Sequence, residues 1–82
     1  MYEVIEEPIQ VGAIFKGNKI KPRWFIWKKR KYPIRDITFK WQDRKGEEIL
    51  LYFSVSDGVN TYEICFNQKS LNWFLSKVSI EG

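Results

Sequence analysis

Apolar residues recur at every second position along most of the chain, and turn residues interrupt them at short intervals, which is the signature of half-buried β-strands. Ile9, Val11, Ala13 and Phe15 alternate with Gln10, Gly12 and Ile14, predicting a first strand that Pro8 opens. Lys16-Gly17-Asn18-Lys19 reads as a hairpin turn, because Gly and Asn accept positive φ. A second strand is predicted over 20–28, with Phe25 and Trp27 on one face and Trp24 and Ile26 on the other. Pro22 has no amide to donate, so the start of that strand belongs at a sheet edge. Lys28-Lys29-Arg30-Lys31 reads as a tight hairpin tip, since Tyr32 and Ile34 restart the alternation. Ile37, Phe39 and Trp41 follow one residue out of phase with Ile34, which predicts a β-bulge around Arg35-Asp36.

Asp43 to Gly46 makes the next turn. Leu51, Phe53 and Val55 then alternate with Leu50, Tyr52 and Ser54; Asp57-Gly58 turns the chain again; Tyr62, Ile64 and Phe66 follow with Thr61, Glu63 and Cys65 opposite. The segment after Asn67–Ser70 fits two periods. Leu71, Phe74, Leu75 and Val78 suit a helix that Ser70 would cap, whereas Leu71, Trp73 and Leu75 suit a strand. Six segments with short connections predict an all-β fold, a small antiparallel six-stranded meander curled into a barrel or roll, which limits exposed edges.

A chain of 82 residues makes one domain, 1–82, with an ordered core of about 8–79. Aromatic residues, 17% of the chain, supply the large buried areas that so small a core needs. Cys65 is the only cysteine and histidine is absent, so an internal disulfide and His- or Cys-cluster metal sites are excluded. A lone thiol fits a reducing compartment. The acidic start, Glu3, Glu6 and Glu7, is the reverse of a signal peptide, and the longest apolar run, Ile49–Phe53, is far short of the ~20 residues of a membrane helix. A cytoplasmic location without membrane association is the expectation.

Charge is the informative part of the composition. Residues 16–45 hold twelve of the fourteen basic residues against two acids, Asp36 and Asp43, a local charge of +10 within a net +4. Such a block points to an anionic partner, unless folding lays the acidic strands beside it and cancels the field.

The order Pro8-x-x-Val11, Phe25-x-Trp27, Arg30-x-Tyr32-x-Ile34-x-x-Ile37, Trp41, Phe53-x-Val55, Tyr62-Glu63-Ile64-x-Phe66 and Trp73-x-Leu75-x-x-Val78 resembles a family of small bacterial domains of unknown function. Longer relatives in actinobacteria carry the same Phe-x-Trp and Arg-x-Tyr-x-Val hairpin, and their genes lie near those of lesion-bypass DNA polymerases. The resemblance implies a strand at the C-terminal Trp73-x-Leu75 and, by association only, a link to nucleic acid. It carries over no binding residue. Where relatives often have Gly this chain has Lys29, which implies a hairpin turn strained by about 1 kcal/mol or one longer than drawn.

Catalysis has little support, since no base–nucleophile pair of a standard kind exists, the carboxylates sit in turns and termini, and the glycines are too scattered to cradle a phosphate. Glu47-Glu48 beside Asp43 lacks a spaced metal-ligand motif, and no cofactor is expected. The sharper expectation is a non-catalytic module binding single-stranded DNA or RNA through a basic, aromatic-bearing hairpin. With Phe25, Trp27, Tyr32 and Ile34 inward, the other face shows Trp24, Ile26, Lys28, Lys31 and Arg35, extended by Thr38 and Lys40 on the next strand. Trp24 and Tyr52, with Phe74, are the candidate base-stacking residues; Lys28, Lys29, Arg30 and Lys31 are the candidate phosphate contacts. The alternative is a protein-interaction or homodimerising module that covers an outward apolar patch of Trp24, Ile26, Leu50 and Tyr52.

Overall fold

The structure is a computed structural model that describes residues 2–79. Seven strands occur among them, β1 (Tyr2–Lys16), β2 (Lys19–Trp27), β3 (Arg30–Pro33), β4 (Asp36–Lys45), β5 (Glu48–Ser56), β6 (Thr61–Asn67) and β7 (Trp73–Ser79), with no helix. All neighbours are antiparallel, in the order β3-β2-β1-β7-β6-β5-β4. The fold is therefore an all-β antiparallel meander, as the alternation predicts. The sheet rolls without closing, so β3 and β4 remain its two edges.

β1 lets one sheet make two layers. Residues Tyr2–Ile9 pair with β7, while Gln10–Lys16 pair with β2, and the strand bends where Glu6 takes a φ of 51° and the register slips between Val4 and Glu7. Bulges re-aim strands at such corners. The N-terminal half of β1 with β7, β6, β5 and β4 forms a five-stranded layer; its C-terminal half with β2 and β3 forms a three-stranded layer. Their inner faces meet around Phe25, Val55, Ile64 and Leu75, all fully buried, with Phe53, Tyr62, Phe66, Trp73 and Val78 around them. Phe25 is the joint between the layers. Its ring stacks on Tyr32 at 5.0 Å and meets Tyr62 edge-on at 5.1 Å.

The ambiguous last segment is a strand, the outcome the resemblance implies. Its burial alternates in the right places, Trp73 and Leu75 inward and Phe74 outward, and every residue but Ser76 finds a partner on both β1 and β6. As a strand the segment pairs the facing edges of both β1 and β6, which a helix in its place would leave without partners.

Three expectations need correction. The count is seven strands because the phase slip after Ile34 is a change of edge. The Ile34 amide still bonds the Arg23 carbonyl on the β2 side, and the next amide, Arg35, bonds Ser56 on β5, next to the far edge of the sheet. The bulge comes later, between Ile37 and Phe39, where Thr38 caps the Ser54 carbonyl with its hydroxyl at 3.1 Å. Phe39 and Trp41 consequently turn outward, away from the side of Ile37, and Phe39 is 64% exposed. Finally, the 28–31 tip is a two-residue turn, Lys28-Lys29, because Arg30 and Lys31 already pair with Trp27 and Ile26 as part of β3.

Candidate functional site

Folding separates the charges. Residues 10–33, which make up the whole three-stranded layer, contain eight cations (Lys16, Lys19, Lys21, Arg23, Lys28, Lys29, Arg30 and Lys31) and no carboxylate. The acids among the described residues belong to the other layer and its turns. Phe25 is sealed in the core, so its neighbours Trp24 and Ile26 face out, and Ile20 and Pro22 on the core side leave Lys19 and Lys21 outward with them. A register slip opposite Gly12/Ala13 adds exposed Arg23 to that face.

Trp24 lies at the centre of this surface. It pairs with Gly12 on β1, and the indole lies so close over that glycine that a Cβ there would run into the ring. An aromatic laid over a cross-strand glycine covers bare backbone and pins the register. The Lys31 ammonium stands 4.8 Å from the centre of the Trp24 ring, as Lys28 stands 4.9 Å from Trp27, while the Arg30 guanidinium is 5.6 Å from Tyr32. Each contact holds a cation against an aromatic face at the surface. Trp27 is fixed by its indole N–H, which donates to Glu7 at 3.1 Å.

The hairpin tip has an unusual backbone. Lys28 and Lys29 have φ of 53° and 64°, the two left-handed positions of a type I′ turn that normally take Asn and Gly. The strain inferred at Lys29 is therefore present at two residues.

Arg35 and Lys40 lie outside the hairpin. They sit across an open seam from it, where the free edge of β2 over 19–23 faces the start of β4, and both line the cleft between those edges. Lys40 thus faces the hairpin across a gap, Thr38 turns its hydroxyl to Ser54 on β5, and neither extends the hairpin's sheet. Tyr52 lies on the outer face of the five-stranded layer, apart from Trp24 and the hairpin tip, and shares a cleft with Lys40. There Trp41, Tyr52, Cys65, Phe74 and Pro8 are consecutive cross-strand partners on β4, β5, β6, β7 and β1, one apolar row across the layer. Trp41 and Tyr52 stack at 5.1 Å and 3°, with Phe39 beside them at 5.6 Å. Burial, with Cys65 next to it, pushes the Tyr52 hydroxyl up to about 12, and burial likewise raises the Cys65 thiol above its ordinary value. Both groups stay protonated and chemically quiet at neutral pH.

The apolar patch imagined around Trp24, Ile26, Leu50 and Tyr52 is divided, two residues on each outer face. Sequence reasoning missed Phe39 and Trp41, whose exposure follows from the displaced bulge. It also passed over Lys19, Lys21 and Arg23, although their alternation with Ile20 and Pro22 marks them as outward. No group of three or more His, Cys, Asp or Glu side chains able to hold a metal ion occurs among the described residues. No protein family, curated protein or solved structure matches the chain.

Proposed function

We propose that the protein is a non-catalytic module that binds single-stranded nucleic acid on the outer face of its three-stranded layer. The observation that carries this reading is the segregation of eight cations and no carboxylate onto one layer, with Trp24 at its centre. The layer itself holds no acid to neutralise it, and Glu7 of the neighbouring layer reaches it at Trp27. Cations neutralise successive phosphates, and Trp24 offers a base an aromatic surface once Lys31 leaves the ring for a phosphate. An open sheet face suits a flexible strand, whose bases are free to turn towards it.

Fluorescence anisotropy of a labelled 20-nucleotide single strand tests this. Micromolar binding is expected at low salt, with log K falling against log salt at a slope near −3 to −4 if about five phosphates are neutralised at ~0.7 each. An affinity unchanged by salt, or none at low salt, would remove the proposal. A second reading, self-association through the outer row of Trp41, Tyr52 and Phe74, is favoured by the half-buried stack of Trp41 and Tyr52 with exposed Phe39 beside it. Apolar association holds or strengthens with salt, so the same titration separates the two.

A further inference from the structure

The sheet fails to close at one place, and that place is built of like charges. On one lip of the seam β2 presents Lys19, Lys21 and Arg23; on the other the β3–β4 crossing and β4 present Arg35 and Lys40; Asp36 is the one acid lining it. All five cations are exposed. The cleft between the lips has a volume of about 550 Å³, and its apolar lining comes from Ile20, Pro22, Ile34 and Ile37 at the margin of the core. A second cleft of about 310 Å³ continues from it past Lys19, Ile20 and Lys40 towards Gln42 and Gln68.

Zipping the two lips together would add backbone hydrogen bonds, but Pro22 has no amide to offer that ladder, and cations on both lips oppose the closure further. The lips are brought together by the Ile34 and Arg35 amide bonds to opposite edges, so the repulsion is a fixed feature of the topology. An anion seated between them would relieve it.

We infer that the seam is a phosphate-binding cleft, sized for one nucleotide unit, in which cations of both lips hold phosphate and the apolar lining faces sugar or base. This rests on the nucleic-acid reading for its preferred ligand, a strand that runs from the Trp24 face into the seam; a free nucleotide has the same chemistry. Occupancy bridges β2 to β4 and stabilises the fold, because the ligand binds the native state alone.

The test compares the wild type with Arg23→Glu/Lys40→Glu, one reversal on each lip, and with Lys28→Glu/Lys29→Glu at the hairpin tip. Each is titrated with a thymidine 20-mer and with thymidine triphosphate, read by anisotropy and by Tm. All four positions are exposed, and Arg23→Ala/Lys40→Ala serves should the reversals fail to fold. The expected result is at least a tenfold loss of 20-mer affinity in the seam variant, at most threefold in the tip variant, and a ligand-induced rise in Tm that the seam variant lacks. Lys40→Glu alone should raise the Tm of the free protein by placing opposite charges across the seam. A seam variant that binds within twofold of wild type, beside a tip variant that loses tenfold, would overturn the cleft and leave the strand reading intact. Binding of thymidine triphosphate at the seam without binding of the 20-mer would keep the cleft and remove the strand reading. Binding of neither removes both.

Discussion

Lys28 and Lys29 hold backbone conformations that cost a side-chain-bearing residue about 1–2 kcal/mol each, and they do so at the most exposed point of the β2–β3 hairpin. The two-residue turn needs only positive φ, and the surface contact of Lys28 with the Trp27 ring is the one use of a lysine side chain described at it. Lys28→Asn with Lys29→Gly is expected to stabilise the protein by about 1–2 kcal/mol, a Tm rise of roughly 5–10 °C for a domain of this size. Thermal melts check this, and an unchanged or lower Tm would show the turn to be unstrained. Keeping two strained ammonium groups at a tip is a cost consistent with a use for their charge. Asp57 governs a different turn. Burial alone would raise its carboxyl, but hydrogen bonds from the Asn60 and Val59 amides and the Tyr62 hydroxyl outweigh that and hold it below the ordinary 3.8. A lowered native value stabilises the fold at pH above the ordinary one, and this contribution disappears as the pH falls through it. Asp57→Asn is therefore expected to lower stability at neutral pH and to flatten its decline in acid, read by denaturant unfolding across pH 2–7.

At the scale of the strands, legibility followed burial. Phe53, Val55, Tyr62, Ile64 and Phe66 alternate cleanly because each of their strands has a neighbour on both sides and one face in the core. The period is least informative where a strand bends or ends. β1 continues back to Tyr2 because β7 supplies partners for Glu3, Val4 and Glu7, polar or exposed positions that no alternation marks. Ile34 and Ile37 both pack on the core, yet they belong to opposite edges of the sheet, and a phase slip reads the same for a bulge as for a change of edge. The seam was beyond the sequence for that reason, since its two lips meet only through long-range topology. The pairing of Trp24 with Gly12 gives the hairpin an independent test. Gly12→Ala must lift the indole from the strand, with an expected loss of about 1–3 kcal/mol, and most of that loss should vanish in a Trp24→Ala background. Additive losses in the double-mutant cycle would mean that ring and glycine act separately.

Over the whole molecule, the three-stranded layer is basic, the five-stranded layer carries the acids and an apolar outer row, and Phe25 locks the two together. This polarity separates the functional readings, because an anionic strand and an apolar partner would engage opposite faces. Amide chemical-shift mapping of the labelled protein, titrated with a thymidine 20-mer at low salt, is the most direct measurement. Binding of the kind proposed shifts residues 19–31 and 34–40 around Trp24 and the seam, and added salt reverses the shifts. Shifts along Trp41, Tyr52, Cys65 and Phe74 instead, or shifts that depend on protein concentration and ignore the oligonucleotide, would contradict it.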